Sequence, residues 1–207
     1  MSDSFKKIIG IGAIILVSAL VGILLGQLFC NYEMRYMFAR EYCGDVNGIE
    51  IYAAGEIDRD NFVKHLQMLV DAPEKLTECC DKIYFTGSSL GVPASDSGLG
   101  NALGLTQDRT IYISTESFSS YVVYHELFHA FDNANERLSE TTEFVKLYAE
   151  NDRIMPVFAA HSDEYAAEFF AQVGAMYLLM PFELSVSAPD LYDYYDSTLG
   201  FGKADKR

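Results

Sequence analysis

The sequence predicts an α+β fold that is mostly helical, with a small sheet, and that is preceded by one transmembrane helix. Three observations lead to this prediction. A run of 22 uncharged residues near the N-terminus is almost wholly apolar. Three short segments rich in β-branched and aromatic residues are typical of strands. Several longer segments repeat apolar residues every three or four positions, which is the spacing of an amphipathic helix.

The uncharged run, residues 8–29, is the predicted membrane span. About 20 apolar residues suffice to cross the hydrocarbon core of a bilayer. The run is longer than the apolar region of a cleaved signal peptide, so we expect a retained signal anchor. Lys6 and Lys7 directly precede it, and positive charge favours the cytoplasmic side. We therefore expect a single-pass protein of the cell membrane, with a short cytoplasmic tail at residues 1–7 and an extracellular domain.

A single domain is expected at residues 49–199, between a juxtamembrane linker at 30–48 and a short tail at 200–207. This length suffices for one hydrophobic core. The chain has a net charge of −15, which excludes nonspecific nucleic-acid binding because phosphate contacts need clustered Lys and Arg. Gly98 and Gly100 lack the strand–glycine–helix setting of a phosphate loop, so no nucleotide is expected to bind.

The secondary-structure elements of the domain follow from local patterns. Strands are expected at 49–54, 82–86 and 110–114. Helices are expected from Asp58 or Asp60 to Val70, and at 116–132, 142–150, 163–179 and 190–197. The segment 87–104 is rich in glycine and serine and is expected to contain no strand. The strand at 110–114 stands just before the helix expected at 116–132.

The helix predicted at 116–132 carries the pattern H-E-x-x-H at residues 125–129. Histidines four residues apart lie on one face of a helix, so His125 and His129 can both reach one zinc ion. Glu126 points about 100° away around the helix axis. That direction suits a general base, which must reach the zinc-activated water rather than the metal. Apolar residues flank the motif on both sides, so both imidazoles are expected to be buried. Burying them without a hydrogen-bond partner would cost free energy, and a bound metal would supply that partner.

A catalytic zinc ion needs a third protein ligand and an open position for water. The helix predicted at 163–179 begins after Ser162, a suitable N-cap, and it offers Glu164 and Glu168 on one face. Spacing alone allows either carboxylate to be the ligand. Glu168 is followed by two phenylalanines, which makes a solvated surface position less expected for it.

Together these motifs resemble those of the zinc peptidases related to the catalytic domain of anthrax lethal factor, a group that includes the proline-proline endopeptidases of clostridia. The matching segments are H-E-x-x-H-A-x-D at 125–132 and E-F-F-A at 168–171, and the resemblance extends over 49–199. It implies a zincin-like domain of the gluzincin type that binds one Zn²⁺ per chain through the two histidines and Glu168. It also implies a metalloendopeptidase that hydrolyses peptide or protein substrates, with Glu126 as the general base.

Two positions depart from the pattern of that family. Gln172 stands where the family's E-x-F-A-E motif ends in glutamate, so a carboxylate beside the metal ligands is expected to be missing. His161 stands seven residues before Glu168, where the family has a catalytic tyrosine. An imidazole can donate a hydrogen bond to a tetrahedral oxyanion as a phenol does, so His161 is the expected substitute and Tyr165 is the alternative. An ordinary loop histidine is the remaining interpretation of His161.

Side chains that support the metal ligands, and a strand that binds substrate, are expected around the site. Asp132 is expected to orient His129 or its neighbours as a carboxylate outside the metal ligands, its alternative being a surface acid at the end of the helix. Glu164 is expected to support the metal ligands from the same face as Glu168. In the related peptidases such a strand lies along the active-site cleft. The resemblance therefore implies that the strand at 110–114 is an edge strand that binds substrate backbone by strand addition, with an interior strand as the alternative. Its expected substrate-binding residues are Tyr112, Ile113 and Ser114.

The departures at Gln172 and His161 leave a rival interpretation open. The protein would then be a catalytically impaired, zinc-containing binding or scaffold protein at the cell surface. A metal-dependent hydrolase that acts on another class of substrate is a further alternative. The strand next to the predicted zinc helix favours an extended substrate such as a peptide.

Overall fold

A five-stranded mixed sheet lies at the centre of the fold in the computed structural model, which describes residues 40–87, 90–94, 98–151 and 166–200. The residues described from Glu41 onward belong to one compact unit. Within these ranges, no helix has the length and apolar character needed to cross a bilayer. The membrane span expected from the sequence lies outside them.

Seven strands are found in the described part of the chain. In chain order they are β1 (Arg40–Val46), β2 (Ile49–Ala54), β3 (Lys82–Thr86), β4 (Leu90–Ala94), β5 (Gly98–Ala102), β6 (Gly104–Gln107) and β7 (Thr110–Ser114). The sheet has the order β1-β2-β3-β7-β6, and β4 pairs with β5 in a separate antiparallel hairpin. β2, β3 and β7 are parallel, whereas β6 is antiparallel to β7. The three strands expected from the sequence are therefore confirmed, and they form the middle of the sheet.

The two faces of the sheet carry different residues, because successive side chains of a strand point to opposite sides. On one face, paired isoleucines are fully buried in the core that the sheet shares with the helices. These residues are Ile51, Ile83 and Ile111. On the other face, the rings of Tyr52, Tyr84 and Tyr112 stack with centroids 5.1 and 5.3 Å apart. The sheet is therefore held from strand to strand by side-chain packing as well as by its hydrogen bonds.

Residues 40–46, which the sequence analysis placed in a linker, form β1. A two-residue turn joins β1 to β2, and both its residues, Asn47 and Gly48, have positive φ angles of 50° and 83°. Such a turn connects antiparallel strands, and Asn-Gly is its most favourable sequence. β1 is mostly exposed and polar, so it lacks the alternation of apolar residues that reveals a strand. The Asn-Gly pair was the one signal that could have revealed it.

The prediction that the glycine-rich segment 87–104 contains no strand is wrong. β4 and β5 both lie inside this segment, and β6 begins at its end. Strands pair through hydrogen bonds between backbone groups, which glycine also has. A glycine-rich hairpin can therefore form even though the strand propensities of its side chains do not predict it.

The prediction that residues 110–114 form an edge strand is also wrong. β7 is paired with β3 on one side and with β6 on the other. Tyr112 and Ile113 are fully buried and Ser114 is 1 % exposed, so these residues cannot receive a substrate strand. The cause of the error is β6, which the glycine-rich sequence concealed and which takes the edge position among the strands described.

Seven helices surround the sheet in the described ranges. They are α1 (Arg59–Val70), α2 (Glu74–Thr77), α3 (Ser120–Ala134), α4 (Thr142–Asn151), α5 (Ala166–Leu179), α6 (Pro181–Ser187) and α7 (Pro189–Leu199). Asp58 caps α1, because its Oδ1 accepts a hydrogen bond from the Asn61 N–H at 2.9 Å. α6 was not expected from the sequence. Pro181 ends α5, yet it also serves as the first residue of the next helix, where its missing N–H is not needed.

α3 and α5 pack closely, and their contact sets the geometry of the functional site. A Cβ atom on Gly174 of α5 would lie 2.5 Å from the ring of Phe128 on α3. The Phe128 ring is fully buried and also packs edge-on against Phe170 and Tyr195. It therefore cannot move aside, and only glycine allows the two helices to approach this far.

We predict that Gly174→Ala destabilises the protein by about 1–3 kcal/mol, the usual cost of inserting a methyl group into a packed core. Chemical denaturation of the two proteins measures this difference in the free energy of unfolding. Helix propensity alone predicts the opposite sign, since alanine favours a helix over glycine by about 1 kcal/mol. A more stable variant would therefore contradict the close contact between the helices.

Candidate metal centre

Two imidazoles from α3 form one side of the site. His125 and His129 lie on the same helical face, and their Nε2 atoms are 3.0 Å apart. The two rings are nearly perpendicular, at 84°, so that both nitrogens face the same point. Each side chain is largely buried, with 16 % and 17 % of its surface exposed.

A carboxylate from α5 forms the other side. Oε2 of Glu168 lies 3.3 Å from Nε2 of His125, and Oε1 lies 3.4 Å from Nε2 of His129. One ligand atom from each of the three residues lies within 4.8 Å of the others, and the group can hold a metal ion. The structure thus brings together the three side chains that the sequence analysis expected to bind zinc.

The distances within this cluster fit a shared cation better than direct hydrogen bonds. A charge-assisted hydrogen bond between imidazolium and carboxylate is about 2.7–2.9 Å long, shorter than both separations to Glu168. Two ligand atoms that are each about 2.1 Å from one ion at a tetrahedral angle lie about 3.4 Å apart. Two nitrogens and a carboxylate are a donor set that zinc prefers. Glu168 is 39 % exposed, which leaves a side of the cluster open to water or substrate.

The charges in the cluster depend on one another. Burial alone would raise the pKa of Glu168, but its polar contacts with the two imidazoles and their positive charge outweigh burial and hold the pKa well below its usual range. Burial alone would lower the pKa of His129, but Glu168, Glu126 and Asp132 together raise it. The carboxylate therefore stays ionised, and the surroundings favour a positive charge beside it.

Glu126, the expected general base, is held between α3 and β6. It is 5 % exposed, and its Oε2 accepts a hydrogen bond of 2.7 Å from the hydroxyl of Thr106. Gly104, two residues earlier on the same face of β6, lies directly against the carboxylate. A Cβ atom on Gly104 would be 2.5 Å from Oε1 and 2.6 Å from Cγ of Glu126. β6 therefore provides both the space and the hydrogen bond that fix the carboxylate.

Tyr121 and Gln172 connect the site across the two helices. The Tyr121 hydroxyl lies 3.1 Å from Nδ1 of His125, and it donates a hydrogen bond to Oε1 of Gln172. Gln172 is 3 % exposed. Burial, followed by the charges of Glu168 and Glu126, raises the pKa of Tyr121 far above its usual value, so the phenol stays protonated. Gln172 thus lies beside the ligands, as expected, but it reaches them through a tyrosine.

Asp132 does not take the position that the sequence analysis gave it. Its two carboxylate oxygens accept hydrogen bonds from Ser139, at 2.8 Å from the N–H and 2.6 Å from the hydroxyl. Among the hydrogen bonds between described residues, none joins Asp132 to His129. Asp132 instead holds the turn that follows α3, and it influences His129 through its charge alone.

Three expected site residues, His161, Glu164 and Tyr165, lie outside the described residues. Three residues of the site were missed by the sequence analysis. Tyr121 stands four residues before His125, and this helical spacing was a usable signal. Thr106 and Gly104 carried no signal, because their role depends on which strand lies against α3.

Comparison with solved structures gives an independent view of the fold. A PRO-PRO endopeptidase from Paenibacillus alvei matches with a TM-score of 0.59 and 20 % sequence identity, over 72 % of this chain and 96 % of that chain. The two proteins share a fold. No protein-family model matches the sequence, and no curated protein matches it either. The likeness confirms the related fold that the two sequence motifs implied, and it extends over nearly the whole of the endopeptidase.

We predict that the full-length protein binds one zinc ion and that Glu168→Ala loses it. Removing one of three ligands should weaken binding by more than the roughly 10–100-fold that the loss of an outer hydrogen-bonding partner costs. Competition with a chromophoric chelator measures the affinity. Glu164→Ala is the matched control, because Glu164 is the other carboxylate at ligand spacing. Loss of zinc from the Glu164 variant instead would exchange the two assignments.

Proposed function

We propose that this protein is a zinc-dependent metalloendopeptidase anchored in the cell membrane. The observation that carries the proposal is the convergence of His125, His129 and Glu168, together with the buried carboxylate of Glu126, whose charge acts on His129. The likeness in fold to an endopeptidase agrees with it. The H-E-x-x-H segment, less than one and a half turns of helix, would thus supply two metal ligands and a base in one rigid unit.

The chain's own residues would divide the work of hydrolysis. A zinc ion held by the three ligands would act as a Lewis acid that polarises a carbonyl and makes water more acidic. Glu126 would take a proton from the attacking water and pass it to the leaving amine. Thr106 occupies Oε2, and no described residue donates a hydrogen bond to Oε1, so Oε1 would be the atom that accepts the proton. His161 or Tyr165 would donate a hydrogen bond to the oxyanion.

The edge strand β6 is the surface that we propose for substrate backbone. Ser114 donates its N–H to the carbonyl of Leu103 at 2.8 Å, and pairs in an antiparallel ladder alternate in direction. The N–H and C=O groups of Gly104 and Thr106 therefore point away from β7, toward the open edge. An extended peptide could pair with these groups and lie beside Glu126.

The location of the protein is proposed from the sequence. The apolar run at residues 8–29 would anchor the chain in the bilayer, with the basic residues Lys6 and Lys7 on the cytoplasmic side. The catalytic domain would then face the outside of the cell and act on extracellular peptides or proteins.

We predict that Glu126→Gln abolishes peptide cleavage and leaves zinc binding intact. The amide keeps the shape and can still accept the Thr106 hydrogen bond, but it cannot take up a proton. Cleavage of a mixed peptide library, followed by mass spectrometry, measures the activity. Glu143→Gln, which removes the same charge from an exposed position on α4, is the control. An active Glu126 variant would refute the base assignment, whereas zinc binding by an inactive native protein would favour a binding or scaffold role.

If the substrate pairs with β6, methylation of its backbone nitrogens should raise KM only at residues whose N–H faces β6. For any peptide that the library identifies, N-methyl groups at alternate residues along one edge should raise KM strongly, because they block the bonds to Gly104 and Thr106. The same groups shifted by one residue point the other way and should have little effect. Equal effects of the two methylation patterns would show that the substrate does not extend β6.

A further inference from the structure

The hydrogen bonds of Tyr121 have a direction, and that direction determines the state of a metal ligand. A phenol hydroxyl carries one proton, and Tyr121 donates it to Oε1 of Gln172. The phenol oxygen can then only accept at its contact of 3.1 Å with Nδ1 of His125. With the hydrogen bonds in this direction, the imidazole carries its proton on Nδ1.

The position of that proton decides whether His125 can bind a metal. A neutral imidazole has one N–H and one lone pair, on different nitrogens. With the proton on Nδ1, the lone pair is on Nε2, which faces Nε2 of His129 at 3.0 Å and Glu168 at 3.3 Å. With the proton on Nε2, the same position would present an N–H and could not ligate.

We propose that Tyr121 and Gln172 are positioning residues that hold His125 in its metal-binding tautomer and thereby set the affinity of the protein for zinc. The inference rests on the metal site of the proposed function. Gln172 acts two hydrogen bonds away from the ligand atom and from the opposite helix, α5. Its burial, at 3 % exposure, keeps water from replacing it as the acceptor.

The alternative that an experiment must exclude is that these two hydrogen bonds run in the opposite direction. In that arrangement the amide NH₂ of Gln172 would donate to Tyr121, and Tyr121 would donate to Nδ1 of His125. Gln172→Glu separates the two directions, because an ionised carboxylate can accept a hydrogen bond but cannot donate one. Gln172→Leu removes the acceptor while keeping a similar size.

Zinc affinity of the full-length variants, measured by competition with a chromophoric chelator, provides the first test. We expect Gln172→Leu and Tyr121→Phe each to lower the affinity about 10–100-fold, and Gln172→Glu to keep it. The double variant Tyr121→Phe/Gln172→Leu should bind no more weakly than Tyr121→Phe, because Gln172 acts only through the tyrosine. Tyr124→Phe, a buried tyrosine of the same helix, is the matched control and should bind as the native protein does.

Three results would overturn the proposal. Additive losses in the double variant would show that the two residues act on zinc binding independently, and not through one hydrogen-bonded relay. Loss of affinity in Gln172→Glu would show that the amide donates rather than accepts. Native affinity in Gln172→Leu, in a variant that unfolds at the same temperature as the native protein, would show that the acceptor does not matter.

A second measurement does not depend on any variant folding or on zinc. In the metal-free native protein, at an alkaline pH where the imidazole is neutral, ¹⁵N chemical shifts of the His125 ring distinguish a protonated Nδ1 from a protonated Nε2. We expect the proton on Nδ1, and a proton on Nε2 would contradict the proposal. Failure of the native protein to bind zinc would refute the proposed function instead, so the two failures are distinguishable.

Discussion

The site depends on one electrostatic constraint, the approach of two imidazole nitrogens and a carboxylate to within 3.4 Å of one another. Lone pairs that face each other at such distances repel unless a cation or a proton lies among them. The protein enforces the approach through the packing of α3 against α5, where Gly174 admits the ring of Phe128. The fixed distance between two helix axes thus creates a place where positive charge is stabilised.

The sheet contributes to the site through β6, which contacts Glu126 of α3. Gly104 and Thr106 direct one face of β6 toward Glu126, while their backbone groups point to the edge where a peptide could pair. The same two residues would therefore orient the base and receive the substrate. A shift of β6 on pairing would be transmitted directly to the carboxylate, since no other element lies between them.

Parts of this arrangement were predictable because they depend on local periodicity. His125 and His129 share a helical face whatever the fold around them, and the central strands carry β-branched and aromatic residues that indicate strands. Helical spacing alone could not assign Glu168 as the third ligand, because Glu164 lies on the same face of the predicted helix. The family resemblance distinguished the two carboxylates. The edge position of β6 could not be predicted, because a strand of four residues is too short to show a period-two pattern of apolar side chains. The partnership of Tyr121 with Gln172 likewise required the packing of two helices that are distant in the sequence.

The space beside Gly104 has a consequence for how sequences of this fold can diverge. Any side chain at that position would occupy the volume now filled by the carboxylate of Glu126. If alanine or serine replaced this glycine, either β6 or the side chain of Glu126 would have to move. The fold could tolerate the displacement of Glu126. Among distant homologues, a non-glycine residue at this point would mark the proteins that keep the architecture but cannot hold a glutamate in the position of Glu126.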